Sequence, residues 1–260
     1  MNSPCQLYEQ LAPKLCDSHV HVGHFTQQIY FSPVDVVKQL NLLRIQRWVV
    51  SSTSTTCNSY HIAQKELSEL LSLAEHKALL QLWVVPEMLE CSKNLTHYFA
   101  LPFQGLKIHP YRDKWDPFGK ELYRVFEIAL DRHLPILIHT GVDQSCEAGV
   151  FRNICEQFPD VTTILGHGRP IEQTLPIIHD LPNVWVDTAF MPIEDIQTII
   201  LSGEENKIVF GSDFPLDEFF YPQESVVVRY RNRILSLVNI FGEDLLVKWG
   251  NYHFYQLYGL

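Results

Sequence analysis

Apolar residues along this chain fall into short, near-continuous runs, separated by longer stretches in which they recur every three or four positions. The runs lie at 14–23, 47–52, 79–85, 105–109, 135–141, 161–167, 184–187 and 207–213. Near-continuous apolar runs of this length predict strands buried on both faces, as in a parallel sheet. Between them the spacing predicts helices. The first follows Ser32, a side chain suited to capping, with Pro33 at the first helical position, and runs to about Arg44. Others run from about Asn58 to Lys77, Lys120 to Leu134, Gly149 to Phe158, onward from Ile171 and from Ile193, and from about Gln223 to Ile240. In the Lys120–Leu134 stretch, Leu122, Val125, Phe126, Ala129 and Leu130 share one helix face. The segment 87–102 reads as irregular or weakly helical, and a helix from about Asp244 to Leu257 closes the chain.

Eight strands, each followed by a helix or long connection, predict an α/β fold, a (β/α)8 TIM barrel with an extra C-terminal helix. A doubly wound open sheet is the competing architecture, but no Gly-x-Gly-x-x-Gly opens any helix. No linker, repeat or low-complexity tract interrupts the pattern, so residues 1–260 read as a single domain.

Composition narrows the class. With 46% hydrophobic and 19% charged residues the chain can bury a sizeable core. Twenty Lys and Arg against thirty Asp and Glu give a formal charge of −10, which argues against nucleic acid as a partner. Cys5, Cys16, Cys57, Cys91, Cys146 and Cys155 are scattered without a Cys-x-x-Cys pair and read as free thiols of a cytoplasmic protein. No signal-peptide pattern and no run of about 18 apolar residues is visible, so no membrane association is expected.

Against this background the placement of unusual polar residues stands out. His19 and His21 end the first strand; two residues apart, they project from the same face. Buried imidazoles need partners, and a pair of them suits a divalent metal. Lys107 and His109 end the fourth strand, His139 the fifth, His167 the sixth and Asp213 the eighth. All lie at C-terminal strand ends, where barrels of this kind carry their active sites. His19, His21, His139 and Asp213 would suffice for one ion, leaving His167 to join a second ion or act as acid/base. His61, His76, His97, His133, His179 and His253 fall on helices or connections and read as partly exposed surface histidines.

The stretches Asp17-Ser18-His19-Val20-His21, Gly105-Leu106-Lys107-Ile108-His109-Pro110, Ile138-His139-Thr140-Gly141, Gly166-His167-Gly168 and Gly211-Ser212-Asp213-Phe214-Pro215 resemble the amidohydrolase superfamily. They are most similar to its amidohydrolase-2 branch, which includes the aminocarboxymuconate-semialdehyde decarboxylase type. The tail from Gly250 to Leu260 resembles that branch's C-terminal helix. The resemblance implies a divalent metal, zinc first, as one or two ions. It implies His19 and His21 as ligands of the more buried ion, His139 and His167 as the next two histidines, and Asp213 as ligand and proton acceptor. At Lys107, dinuclear members carry a carbamylated lysine bridging two metals. An unmodified lysine holding a substrate anion or pairing with Asp213 is the equal alternative.

A divalent ion lowers the pKa of bound water and polarises a carbonyl, and Asp213 can take and return a proton. The expected reaction is therefore hydrolysis of an amide, ester or lactone-type bond in a small-molecule substrate. Non-oxidative decarboxylation of an unsaturated or aromatic acid is the alternative reaction, and a non-catalytic metal-binding barrel the remote one. Arg112, Arg169 and His109 are candidate substrate-binding residues, with surface pairing or loop support as competing roles. Asp17 and Asp187 are placed to orient ligand histidines. Tyr111, Trp115, Phe190 and Phe214 are candidate pocket walls or simple packing. The branch is often oligomeric, so a homo-oligomer is compatible with the resemblance.

Overall fold

The computed structural model describes residues 3–57, 59–91 and 95–259, and of Glu90 and Cys91 only the backbone. Asn58, where the sequence starts a helix, and 92–94, within the segment read as irregular, lie outside the described residues. The strands in chain order are β1 (Cys16–His24), β2 (Tyr30–Phe31), β3 (Arg47–Ser52), β4 (Ala78–Trp83), β5 (Phe103–Ile108), β6 (Ile136–His139), β7 (Thr163–Gly166), β8 (Val184–Asp187) and β9 (Ile208–Val209). Every predicted apolar run overlaps one of them. The chain divides into two compact units, residues 1–79 with 210–256 and residues 80–209 with 257–259.

In the first unit β1 pairs in parallel with β3, with His21 opposite Ser51, and the register shifts between Asp17 and Val20. The tip of β1 also pairs antiparallel with β2, a two-residue strand that the hydrophobic pattern is too short to reveal. On its other side β1 meets the segment after β9: the Ser18 amide donates to the Phe210 carbonyl (3.0 Å), the Asp213 amide to His19 O (2.8 Å) and the His21 amide to Phe214 O (2.7 Å). The predicted 207–213 strand is thus a strand only at its start, because beyond it the backbone turns through Asp213 at a φ of 64°. Leu15, Leu40, Trp48, Leu70, Ile234 and Trp249 are buried in this unit's core, each fully buried aliphatic or aromatic side chain contributing about 1.5–3 kcal/mol.

The helix predicted after Ser32 spans Pro33–Leu42, and the Ser32 side chain caps it by accepting the Asp35 amide. The next runs over Tyr60–Leu73, preceded by a separate turn at Ser54–Cys57. The predicted Gln223–Ile240 helix is observed as Val226–Phe241. The closing helix departs from expectation. It is broken into Glu243–Val247, a π turn at Lys248–Tyr252, and His253–Tyr258. At the π turn the Trp249 carbonyl accepts the Phe210 amide (3.2 Å), and Gly250 lies so close to Leu15 that a Cβ would come within 2.9 Å of it. A side turn that releases a carbonyl to a neighbour is what a one-residue widening of the helix provides.

In the second unit β4 to β9 pair in sequence order, all parallel. The helix at Lys120–Arg132 buries Leu122, Val125, Phe126 and Ala129 as predicted, but adds Ile128 and leaves Leu130 at the edge of the stripe, 36% exposed. The region read as irregular holds a helix at Pro86–Cys91 and a 3-10 turn at Thr96–Tyr98. Among the described residues, no helix is long and apolar enough to cross a membrane.

Candidate functional site

The strand period of two does to β1 what the sequence implies: His19 and His21 share a face, with Val20 turned away. Their rings lie edge to face, centroids 5.0 Å apart. Both rings point Nε2 at one atom, Asp213 Oδ1, at 3.2 Å from His19 and 2.8 Å from His21. The three residues are almost fully buried, and their donor atoms all lie within 4.8 Å of one another. On the far side of the His21 ring, Nδ1 lies 3.0 Å from the Ser51 hydroxyl.

Asp17 fixes this arrangement from behind. Its fully buried carboxylate accepts the backbone amides of His19 (3.0 Å) and Ser212 (3.1 Å), the Ser212 hydroxyl (2.5 Å) and the Tyr230 hydroxyl (2.8 Å). It therefore ties the strand bearing the two histidines to the turn bearing Asp213. Burial pushes the Asp17 carboxyl up to about 7 against the opposing pull of these hydrogen bonds. Asp213 itself sits in the left-handed region, a costly conformation for a non-glycine residue that persists only where surrounding bonds hold it. Farther along the same loop, Asp217 accepts from Arg229 (2.9 Å), whose guanidinium also caps the carbonyls of Tyr221 and Glu224.

The tip of β1 is held by a run of hydroxyls at the end of β3. Ser52 and Ser54 donate to the buried Glu66 carboxylate (2.6 and 2.8 Å). The Thr53 hydroxyl donates to Val22 O (3.0 Å), and Ser54 Oγ accepts the His24 amide (2.8 Å). Gly23 makes room for them: at its φ of +93° a Cβ would fall 2.6–2.7 Å from Glu66, Ser54 and Ser52 oxygens.

The second unit holds a different polar group. His109 stacks face to face on His139 at 3.7 Å, Trp83 lies parallel to His109 at 5.9 Å, and His139 meets His167 edge-on. The hydrogen bonds fix the tautomers of the neutral rings. A carbonyl only accepts, so His167 Nδ1, 2.9 Å from Ala189 O, carries its proton. Its Nε2 then accepts from His139 Nδ1 at 3.0 Å, which leaves the His139 lone pair on Nε2. His109 Nδ1 accepts the Arg112 amide (3.3 Å), so its proton is on Nε2. His167, like Asp213, has a positive φ (70°), and a buried aspartate holds it: Asp187 Oδ1 accepts the amides of His167 (2.8 Å) and Ala189 (3.1 Å).

Asp187 and Asp17, expected to orient ligand histidines, each grip the backbone amide beneath one of the rings. Lys107 is buried with its Nζ 5.9 Å from the Trp83 ring centroid. Arg169 is tethered to the Phe190 carbonyl (2.7 Å) and lays its stem on Gly141, and Arg112 stands half-buried beside His109. Of the four aromatic wall candidates, Trp115 and Phe214 are buried, Phe190 is half-buried 6.1 Å from the His167 ring, and Tyr111 is half-exposed. His253 corrects the reading of surface histidines: it is 2% exposed, on the inward side of the closing helix. The other five are exposed, and His179 pairs with Glu204, which raises its pKa. Cys5, Cys16, Cys57, Cys146 and Cys155 are free thiols. Asp113 carries no signal in the sequence; it accepts the Trp83 indole N–H (2.8 Å), and burial raises its carboxyl to about 7.

The donor set of the first unit fits a small divalent ion. Two imidazole nitrogens and a carboxylate oxygen are ordinary zinc ligands, and tetrahedral bonds of about 2.0–2.1 Å place neighbouring donors roughly 3.3 Å apart. The observed 3.2 and 2.8 Å are close to that spacing.

A family model described as Amidohydrolase matches residues 81–233, more than half of the chain. No curated protein matches in sequence. Among solved structures, amidohydrolase 2 from Bifidobacterium longum subsp. infantis is similar with a TM-score of 0.66 at 17% identity, covering 94% of this chain and 98% of that one. An amidohydrolase from Burkholderia multivorans with bound zinc gives a TM-score of 0.65 at 12% identity, with coverage of 95% and 99%. A probable 2-pyrone-4,6-dicarboxylic acid hydrolase from Acinetobacter baumannii, with citric acid bound, gives 0.64 at 11%, with coverage of 95% and 100%. These likenesses show the fold, an α/β barrel.

Proposed function

The chain belongs to the amidohydrolase family, and from that premise we propose that it is a metal-dependent hydrolase acting on an amide, ester or lactone-type bond of a small molecule. The observation that carries this reading is the convergence of His19 Nε2, His21 Nε2 and Asp213 Oδ1. These three residues would hold the ion. A bound divalent ion supplies Lewis acidity toward a carbonyl oxygen and lowers the pKa of water. Asp213 has a second carboxylate oxygen with which to accept a proton and return it to the leaving group. The backbone bonds that hold Asp213 at a positive φ keep that carboxylate aimed, so little reorganisation is needed during reaction. Within the second unit His139, its Nδ1 bonded to His167 and its lone pair on Nε2, is a candidate ligand in its own right. In the second unit Lys107, His109, Arg112 and Arg169 are the candidate groups for binding a substrate anion.

Metal analysis with a hydrolase screen tests the proposal. Zinc-loaded protein should hydrolyse at least one member of a panel of lactones, amides and esters, lose activity on chelation and regain it with zinc. Release of carbon dioxide from carboxylated aromatic or muconate-like acids, without hydrolysis, would replace it with the decarboxylase reading. A protein that retains no divalent ion, or whose activity survives His19→Ala, would overturn both.

A further inference from the structure

We infer that a cavity in the first unit, walled by Tyr30, Phe31 and Phe219 together with the carboxylates of Asp35 and Glu218, is a binding site for an organic ammonium group. Its volume is about 460 Å³, within the range of small-molecule sites. One wall is the hairpin in which β1 continues past His24 into β2, together with the first turns of the helix at Pro33–Leu42. The other is the stretch from Glu218 to Pro222, farther along the loop that follows Asp213. The inference is independent of the metal reading, since none of His19, His21 and Asp213 lines the cavity.

The aromatic walls are held in place. Phe219 stands edge to face on Phe25 with centroids 5.2 Å apart, and the Tyr30 ring lies 4.5 Å from that of His24. Phe31 is buried in β2, and the hairpin is closed by the Phe25 amide on the Ile29 carbonyl (2.9 Å). Aromatic faces attract a cation through their quadrupole, more strongly as water is excluded. The charge around these faces has one sign. Among the described residues that line the cavity there is no lysine or arginine. Asp35 is steadied by the Ser32 hydroxyl, which donates to it at 2.6 Å and leaves its negative charge in place. Burial raises the Tyr30 phenol above its usual value, and the Glu66 and Glu69 carboxylates add to that rise, so the negative field reaches the ring itself. An anion would be repelled here, and a neutral apolar molecule would gain nothing from the carboxylates. An ammonium group on an alkyl body gains from both the rings and the charges.

The test is calorimetric titration of the full-length protein with choline and with its neutral isostere, in which a tert-butyl group replaces the trimethylammonium. Choline should bind at least about tenfold more tightly than the isostere, and added salt should weaken it. Phe219→Leu and Tyr30→Leu keep apolar bulk but remove a ring face, and each should weaken choline binding about threefold to tenfold. Tyr30→Phe, which keeps the ring, should bind choline to within about twofold of wild type. Asp35→Asn combined with Glu218→Gln should weaken it by about the same factor as the leucine variants. Tyr30, Asp35, Glu218 and Phe219 are all exposed, so the melting temperature should not move. Absence of choline binding in the millimolar range, equal binding of choline and its isostere, or choline binding undiminished in both leucine variants overturns the inference. Zinc content and hydrolysis are read separately, so none of these outcomes bears on the metal reading.

Discussion

The two polar groups of this molecule are built on the same local plan and put to different uses. In the first unit, a residue at positive φ (Asp213) follows a strand, and a buried aspartate (Asp17) holds the backbone around it. In the second, His167 occupies the positive-φ turn and Asp187 holds it. In each case a carboxylate takes backbone N–H groups that the turn would otherwise leave buried and unpaired. The difference lies in what the imidazoles face. In the first unit they converge on a carboxylate, an arrangement a cation can enter. In the second they bond one another and end on a backbone carbonyl, which fixes each proton. A histidine cluster therefore says little about metal until the partner of every ring nitrogen is known.

Removing the convergent atoms should break the comparison most. His21→Ala or Asp213→Ala is expected to weaken zinc binding at least ~100-fold and abolish zinc-dependent activity. His167→Ala should reduce zinc affinity far less, since its Nε2 is engaged by His139; equal losses from His167→Ala and His21→Ala in metal analysis would erase the distinction between the groups. Next comes the anchoring aspartate of the second unit. Asp187→Ala strands two buried amides and should cost about 2–4 kcal/mol, read from the denaturant midpoint; Asp187→Asn, which keeps an acceptor, should cost less.

The last effect concerns pH. The folded Asp113 carboxyl is raised to about 7 from an ordinary 3.8, so between those values the native state binds more protons than the unfolded chain. Its contribution thus favours folding below about pH 4 and is lost progressively as pH rises to about 7. Asp113→Asn, still able to accept from Trp83, should flatten the pH dependence of stability over that window. Unfolding measured at pH 4 and pH 7 should show a smaller change in stability for the variant than for wild type.

How much of this was legible in the chain depends on the range of the interaction. The strands follow from near-continuous apolar runs, the shared face of His19 and His21 from the strand period of two, and the Ser32 cap from capping chemistry, all local. Asp213 is legible from its place after an apolar run. Ser51 is not: it reads as an ordinary strand residue, and only the parallel register with β1 puts it against His21. Ala189 acts through a backbone carbonyl, which no side-chain pattern announces. Asp17 and Asp187 were legible as important, but their targets are amides fixed by turns at positive φ, which a sequence of non-glycine residues does not advertise. The π turn escapes too, since the groups packed against it, the Phe210 amide and Leu15, are distant in the chain.

The first unit is assembled from two stretches far apart in sequence, 1–79 and 210–256, and that gives the candidate site an order of assembly. The Tyr230 hydroxyl reaches Asp17 across 213 residues of sequence. During synthesis at about 5–20 residues per second, β1 and its two histidines emerge first. They then wait for Asp213, Ser212 and the helix that carries Tyr230. A chain stopped anywhere before residue 213 would possess the conspicuous His-Val-His and lack the carboxylate that gathers it. The residue that completes the candidate site is thus supplied by a far later part of the chain than the two histidines it gathers.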